Sequence, residues 1–400
     1  MYKLSDRIGR LAESETLAMT RRSRELTEMG HHVINLSIGQ PDFYTPDPIK
    51  EAAKKAIDEN FTFYSPVSGY VELRKAICNK LKRDNNLDYT PEQIVVSTGA
   101  KQSLANIMLS IINPGDEVLV PAPYWVSYRE IIKLAEGTMV TIEAGVETDF
   151  KITPEQLRQA ITPASKAFVF SSPCNPTGSV YSYDELQALA QVFREHEQLY
   201  IISDEIYELI NFEGQHHSIA AFPEIKERVI VVNGVSKGFA MTGWRLGYCA
   251  ANKAIAQACD KIQGQITSGT CSISQQAAIA ALSGSPQQSA ELRQMVTTFK
   301  ERRDMMLRLL GDIPGLKTNT PKGAFYIFPD VTEFYGKRAG DTIIRNGTDL
   351  CNYLLDDAHI ALVSGEAFGN QDCIRISYAT SNDALIEAAA RLKKSLAALK

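Results

Sequence analysis

RVIVVNGVSKGFAMTGWRLGY, residues 228–248, opens on an unbroken β-branched run and then breaks into glycine, serine and lysine. A run without polar alternation reads as a strand buried on both faces, as in a parallel sheet covered by helices. Outward from it, similar runs at 94–97, 117–120, 166–171 and 199–203 are separated by helical patterns such as 102–112 and 183–198. Short strands alternating with helices predict an α/β fold with a mostly parallel sheet. In such sheets ligands lie beyond the carboxyl ends of the strands. The residues that follow each run are therefore where chemistry is expected.

The C-terminal third has another texture. A charged helix is predicted over 286–310, long enough to bridge two lobes, followed by a Pro314-Gly315 loop. Short strands at 323–328 and 373–378 and an amphipathic helix at 383–399 complete a smaller α+β domain. The expected division is a large domain over 41–284 and a discontinuous small domain from 1–40 and 285–400.

Composition removes several classes of function. The chain has 400 residues, 44 % of them apolar and 22 % charged, with a formal net charge of −5. Nucleic acids and anionic membranes reward clustered positive charge, which this balance does not supply, so neither is an expected partner. No apolar run is long enough to span a bilayer, and residues 1–29 lack the continuous apolar stretch of a signal peptide. Seven cysteines without a CxxC pair predict reduced thiols in a cytoplasmic protein. The pairs His31-His32 and His216-His217 have no further histidine at helical ligand spacing, and adjacent residues point apart. Surface or loop positions and no metal centre are therefore expected.

Three strand ends carry residues that packing alone does not ask for. Asp204 ends LYIISDEIYELI, Asn175 lies where KAFVFSSPCNPTG breaks into a turn, and Lys237 follows the 228–232 run. Each has an ordinary reading: a helix cap for the acid, turn signals for Asn-Pro and Thr-Gly, a solvated surface for the lysine. Together, at one sheet edge, they suit pyridoxal phosphate. A carboxylate keeps the pyridine nitrogen protonated, an amide binds the ring hydroxyl, and a lysine amine condenses with the aldehyde. Ser97-Thr98-Gly99-Ala100-Lys101 opens a helix after a strand, offering free N–H groups to a phosphate. Arg245 adds a guanidinium suited to a bidentate grip.

The chain resembles the class I/II aminotransferases of fold type I, and within them the bacterial aspartate aminotransferases of the subgroup that includes the thermophilic enzymes. The resemblance is carried by residues 236–248, together with Gly39-Gln40-Pro41-Asp42-Phe43, Pro123-Tyr124-Trp125 and Asn175-Pro176-Thr177-Gly178. Ser203-Asp204-Glu205-Ile206-Tyr207 and Arg375-Ile376-Ser377-Tyr378 continue it in the family's order. It implies that Lys237 holds the cofactor covalently and then moves the proton, and that Asp204 pairs with the pyridinium. Asn175 and Tyr207 would contact the ring oxygen, with Trp125 stacked on the ring face. The phosphate would be held by Gly99, Ala100, Lys101, Ser236, Arg245 and Tyr64, the last from the partner of an obligate homodimer with shared sites. Many relatives carry Ser or Thr three residues before the lysine, where this chain has Gly234.

For substrate, the resemblance assigns the α-carboxylate to Arg375, with Gly39, Asn175 and Trp125 around it. The distal carboxylate would fall to Lys101, aided by Ser14 and Thr16. The N-terminal stretch up to Pro41 and Asp42 would act as a lid. The reaction implied is ping-pong amino transfer from L-aspartate to 2-oxoglutarate. Aromatic, prephenate or broad-range amino transfer, carbon–sulfur lysis and non-catalytic cofactor sensing are the alternatives.

Overall fold

The computed structural model describes residues 4–13, 15–340 and 342–400, the side chains of Thr16, Leu17 and Gln287 excepted. A seven-stranded sheet is formed by β1 (Ile94–Ser97), β2 (Glu117–Ala122), β3 (Thr138–Glu143), β4 (Ser165–Ser171), β5 (Tyr200–Asp204), β6 (Val229–Gly234) and β7 (Gly247–Ala250). Their order across the sheet is β1-β7-β6-β5-β4-β2-β3. β7 runs antiparallel to both of its neighbours, and every other pairing is parallel. The connection from β6 to β7 contains the lysine loop and no crossover helix, so the chain returns antiparallel beside the strand it left.

The apolar runs are continuous because both faces are covered. Val96, Phe168, Ile201 and Val231 join one core, while their neighbours Val95, Val169, Ile202 and Val232 join the core on the other face. The same alternation continues past the end of β5. Asp204 therefore projects to the face of Ile202, and Ser203 and Glu205 project to the face of Ile201. This parity separates two buried polar sites.

Against the first face lies α1 (Val71–Asn85), and α2 (Ala100–Ile111) follows β1 on the other. A separate apolar core gathers around α3 (Ala290–Gly311), α4 (Asn382–Ala397) and a three-stranded antiparallel sheet. That sheet consists of β8 (Tyr326–Ile327), β9 (Val363–Ser364) and β10 (Ile374–Ser377), with β10 central. The N-terminal segment joins this region, since Ile34–Asn35 pairs in parallel with Ile360–Ala361. Asp42 is anchored to it by Arg302 at 2.7 Å. No helix among the described residues is long and apolar enough to cross a membrane.

Candidate active site

A cavity of about 470 Å³ opens at the carboxyl ends of β4, β5 and β6, within the usual range for small-molecule sites. Of the residues singled out from sequence, Gly39, Ala100, Lys101, Trp125, Asn175, Asp204, Tyr207, Ser236, Lys237, Arg245 and Arg375 all line it. Gly99 stands one residue behind, as the N-cap of α2. Tyr64 lies outside this lining and is 98 % exposed. Ser14 falls outside the described residues, as does the side chain of Thr16.

Lys237 follows β6 and its amine donates to the Gly39 carbonyl at 2.5 Å. No carboxylate is paired with it among the described residues. Desolvation, with the Arg375 and Arg245 cations nearby, brings its ammonium down to about 7. Near neutral pH a large share of this lysine is therefore an uncharged nucleophile. Asp204, at the end of β5, accepts from the Tyr128 hydroxyl at 2.8 Å and from the Ile206 N–H at 3.3 Å. Burial pushes its carboxyl up to about 6, only partly offset by Tyr128. A buried acid so raised gains by meeting a cationic partner in the cavity.

Arg375 on β10 is 2 % exposed. Its guanidinium donates to Asn175 Oδ1 at 3.0 Å and to the Ser37 carbonyl at 2.5 Å, while Nε is buried without a partner. Its face lies 4.6 Å from the Tyr326 ring centroid. A cation desolvated and held in this way is poised for an anionic ligand. Lys101, in the first turn of α2, sits 5.1 Å over the Trp125 ring. Burial, then the charge of Arg245, lowers its ammonium.

The wall nearest α2 is shaped by close backbone approach. Gly247 pairs with Ser97 on one side and Gly234 on the other. A Cβ at Gly234 would lie 2.8 Å from both Gly247 Cα and the Leu246 carbonyl. Position 234 therefore has no room for the Ser or Thr of many relatives, and Ser236 lines the cavity instead. A Cβ on Gly99 would strike the Arg245 guanidinium, and no side chain caps the start of α2. Arg245 itself takes φ of 54°, a left-handed conformation uncommon for a non-glycine residue. Its Nη1 donates to the Thr242 carbonyl at 2.9 Å.

These residues fit pyridoxal phosphate. The donor set offers an amine of lowered basicity, a buried carboxylate facing the cavity, and an uncapped helix N-terminus beside a guanidinium. Two contributors escaped the sequence reading. Tyr128 lies one helical turn beyond Trp125 and holds Asp204. Tyr326, on β8, meets the Tyr207 hydroxyl at 2.8 Å. A tyrosine inside an apolar run such as GAFYIF needs a hydroxyl partner when buried, and that was the available signal.

One expectation holds only in part. His216 lies in a loop, as expected, but not at the surface: its side chain is 6 % exposed and its Nε2 lies 3.0 Å from Glu205 Oε2. Glu205, Glu208 and His216 bring their ligand atoms within 4.8 Å of one another. Lys80 of α1 pairs with Glu208 in the same cluster and supplies the cation that a metal would otherwise provide. The local spacing of the His-His pair missed this because the partners arrive from other elements.

Comparison with known proteins agrees with the geometry. The family model for aminotransferase class I and II matches residues 31–392. The chain is 48 % identical over 399 residues to the bifunctional aspartate aminotransferase and glutamate/aspartate-prephenate aminotransferase of Petunia hybrida, covering 99 % of this chain and 83 % of that protein. The aspartate aminotransferase of Rhizobium meliloti superposes with a TM-score of 0.96 at 39 % identity, covering 100 % of both chains. That of Thermus thermophilus with maleate gives 0.92 at 38 % identity, over 99 % of this chain and 100 % of that one. With a fold type I architecture and the residues for its cofactor in one cavity, the chain belongs to the pyridoxal-phosphate-dependent class I and II aminotransferases and groups with their aspartate aminotransferases.

Proposed function

We propose that this protein transfers the amino group of L-aspartate to 2-oxoglutarate by a ping-pong cycle, giving oxaloacetate and L-glutamate. The observation that carries the reading is a pair of cations, Arg375 and Lys101, lining one cavity with the unpaired Lys237. A dicarboxylic amino acid has two anionic ends, and each cation suits one of them. Arg375 takes the α-carboxylate, with its fork already oriented by Asn175 and Ser37. Lys101 takes the distal carboxylate, assisted by Ser14 and Thr16.

Pyridoxal phosphate, when bound, supplies the electron sink that stabilises negative charge at the substrate Cα. Asp204 holds the ring nitrogen protonated, and Tyr128 orients that carboxylate. Asn175 and Tyr207 face the ring oxygen, and Trp125 covers the ring. The backbone of Gly99, Ala100 and Lys101 would hold the phosphate, with Ser236, Arg245 and Tyr64 of the partner subunit around it. Once released, the Lys237 amine takes the proton from Cα and returns it on the cofactor side. Its lowered basicity suits a general base working near neutral pH.

The unit is a cytoplasmic homodimer whose large domain spans 41–284 and whose small domain combines 1–40 with 285–400. Segment 1–40 closes over the site through Gly39 and excludes water from the reacting centre.

A second reading, amino transfer to prephenate, is favoured by the similarity to the Petunia relative, which is named for that activity as well. The purified enzyme with pyridoxal phosphate, 2-oxoglutarate and a panel of amino donors tests the first. Glutamate should form fastest from aspartate. Faster transfer from phenylalanine, or from glutamate to prephenate, would overturn that preference.

A further inference from the structure

Tyr326 stands where three parts of the cavity meet. Its hydroxyl is 2.8 Å from that of Tyr207, and both side chains are buried. Its ring lies under the Arg375 guanidinium at 4.6 Å. A Cβ on Gly39 would lie 2.6 Å from its hydroxyl oxygen, so the N-terminal segment packs directly on this group. Tyr207 reaches the site from the loop after β5 and Tyr326 from β8, and both join the same apolar core. The pair is therefore one hydrogen bond made between elements far apart in sequence.

A phenol has a single proton to donate. In a pair of buried phenols one must give its proton to the other, and only the acceptor keeps its own proton for a further partner. The neighbouring charges set the direction. The Arg375 cation lies over the Tyr326 ring, draws electron density from it and makes Tyr326 the better donor. The Lys237 amine lies 5.5 Å over the Tyr207 ring and is the group most easily uncharged, so it polarises Tyr207 less. Arg375 also acts on Tyr207, but less than on Tyr326, and Asp204 opposes it there. A negative charge there favours a Tyr207 that keeps its proton.

We propose that Tyr326 is a positioning residue for amino transfer, donating its hydroxyl to Tyr207 so that the Tyr207 proton points into the cavity toward the ring oxygen of the cofactor. This rests on the reading above that Tyr207 faces that oxygen. Hydrogen bonds in series strengthen one another, so the Tyr326 donation makes Tyr207 a stronger donor to the ring oxygen. A ring oxygen so stabilised as an anion lowers the basicity of the nitrogen linked beside it. Tyr326 touches neither cofactor nor substrate in this scheme and acts through Tyr207.

The test is a pH titration of the visible absorption band of the cofactor-loaded enzyme. Tyr326→Phe keeps the ring under Arg375 and removes only the hydroxyl. Its midpoint should rise by about 0.5–1 pH unit, the size expected for one weakened hydrogen bond to a charged acceptor. Tyr207→Phe alone should raise it further. Adding Tyr326→Phe to Tyr207→Phe should then move it by less than about 0.2 unit, because the route is already cut. An unchanged midpoint in Tyr326→Phe overturns this proposal alone, provided Tyr207→Phe shifts. Equal shifts from Tyr326→Phe in both backgrounds also overturn it, assigning the effect to repacking around Arg375. No shift in Tyr207→Phe removes the placement of Tyr207 on the ring oxygen, and this proposal with it.

Discussion

Lys237 and Lys80 sit on opposite faces of the same sheet, and the groups that face them differ. Lys80 is 2 % exposed and its ammonium meets the Glu208 carboxylate and, at 2.7 Å, Asn85 Oδ1. Asn85 closes the triangle by donating to Glu208 at 2.9 Å. Lys237 has a carbonyl for company and two arginines nearby. One site spends its lysine on neutralising a buried acid; the other leaves it without a paired counter-ion, with desolvation and two arginines outweighing Asp204, and so makes it reactive. Burial alone therefore does not create a nucleophile. Burial without a carboxylate does.

The largest effect expected from this contrast is chemical. Lys237→Ala should lower turnover by about 10³–10⁴-fold, the range for losing a positioned proton-transfer group, with covalent cofactor attachment lost as well. Its thermal unfolding temperature without cofactor should stay close to that of the parent, since no buried carboxylate is orphaned. Turnover within tenfold of the parent, measured as glutamate formed from aspartate, would break the comparison on its reactive side.

On the structural side the outcomes reverse. Lys80→Ala strands the Glu208 carboxylate in the interior and should cost about 3–5 kcal/mol, near the lower figure because Asn85 still donates to it. The molecules that do fold should turn over at close to the parent rate. Replacing both partners, as in Lys80→Met with Glu208→Gln, should restore most of the loss. Urea unfolding of the parent and the two variants checks this. A single Lys80→Ala within about 1 kcal/mol of the parent would mean that the pair is no more than a surface contact in energetic terms.

Legibility followed sequence locality. The strands at 94–97, 166–171 and 199–203 were readable because apolar residues fill both faces, and the observed bounds fall within a residue or so. β3 was missed because it is an edge strand whose TMVTIE mixes exposed and buried positions. β7 was missed because four residues of a motif rich in chemistry also serve as an antiparallel strand. In the site, Lys237, Asp204 and Asn175 were legible because each stands at, or within four residues of, the carboxyl end of a strand. Tyr128, Tyr326 and the Ser37 carbonyl were not, since they act through partners brought by other elements. The burial of His216 was missed for the same reason, and Lys80 drew no reading at all, since nothing in KLKRDNN announces Glu208 beside it. Parity along Ser203-Asp204-Glu205 was already in the sequence, but its meaning waits on knowing what covers each face.

The smallest effect tests the far end of the buried cluster, where His216 meets Glu205. Burial pulls its imidazolium down, but Glu205 and then Glu208 outweigh burial even against Lys80, so its pKa in the folded protein lies above the ordinary value. Ser203 and Ser218 donate to the other Glu205 oxygen, Oε1, at 2.9 and 2.6 Å, so the carboxyl group keeps two donors without the histidine. A group whose folded pKa is raised binds its proton more tightly when folded. Its stabilisation is complete below the unfolded pKa near 6.5 and is lost as pH rises through the folded value. His216→Asn should therefore destabilise the protein by about 1.5–3 kcal/mol at pH 6, the range for a charged hydrogen bond, and by less at pH 9. Asp204 and Lys237 titrate inside the same interval, but they do so in parent and variant alike and cancel in the difference. Glu208, held low by Lys80 against the cost of burial, acts only on the acid side. A parent-minus-variant difference that is flat from pH 6 to 9 would make His216 a neutral filler and leave Lys80 as the cluster's one working cation.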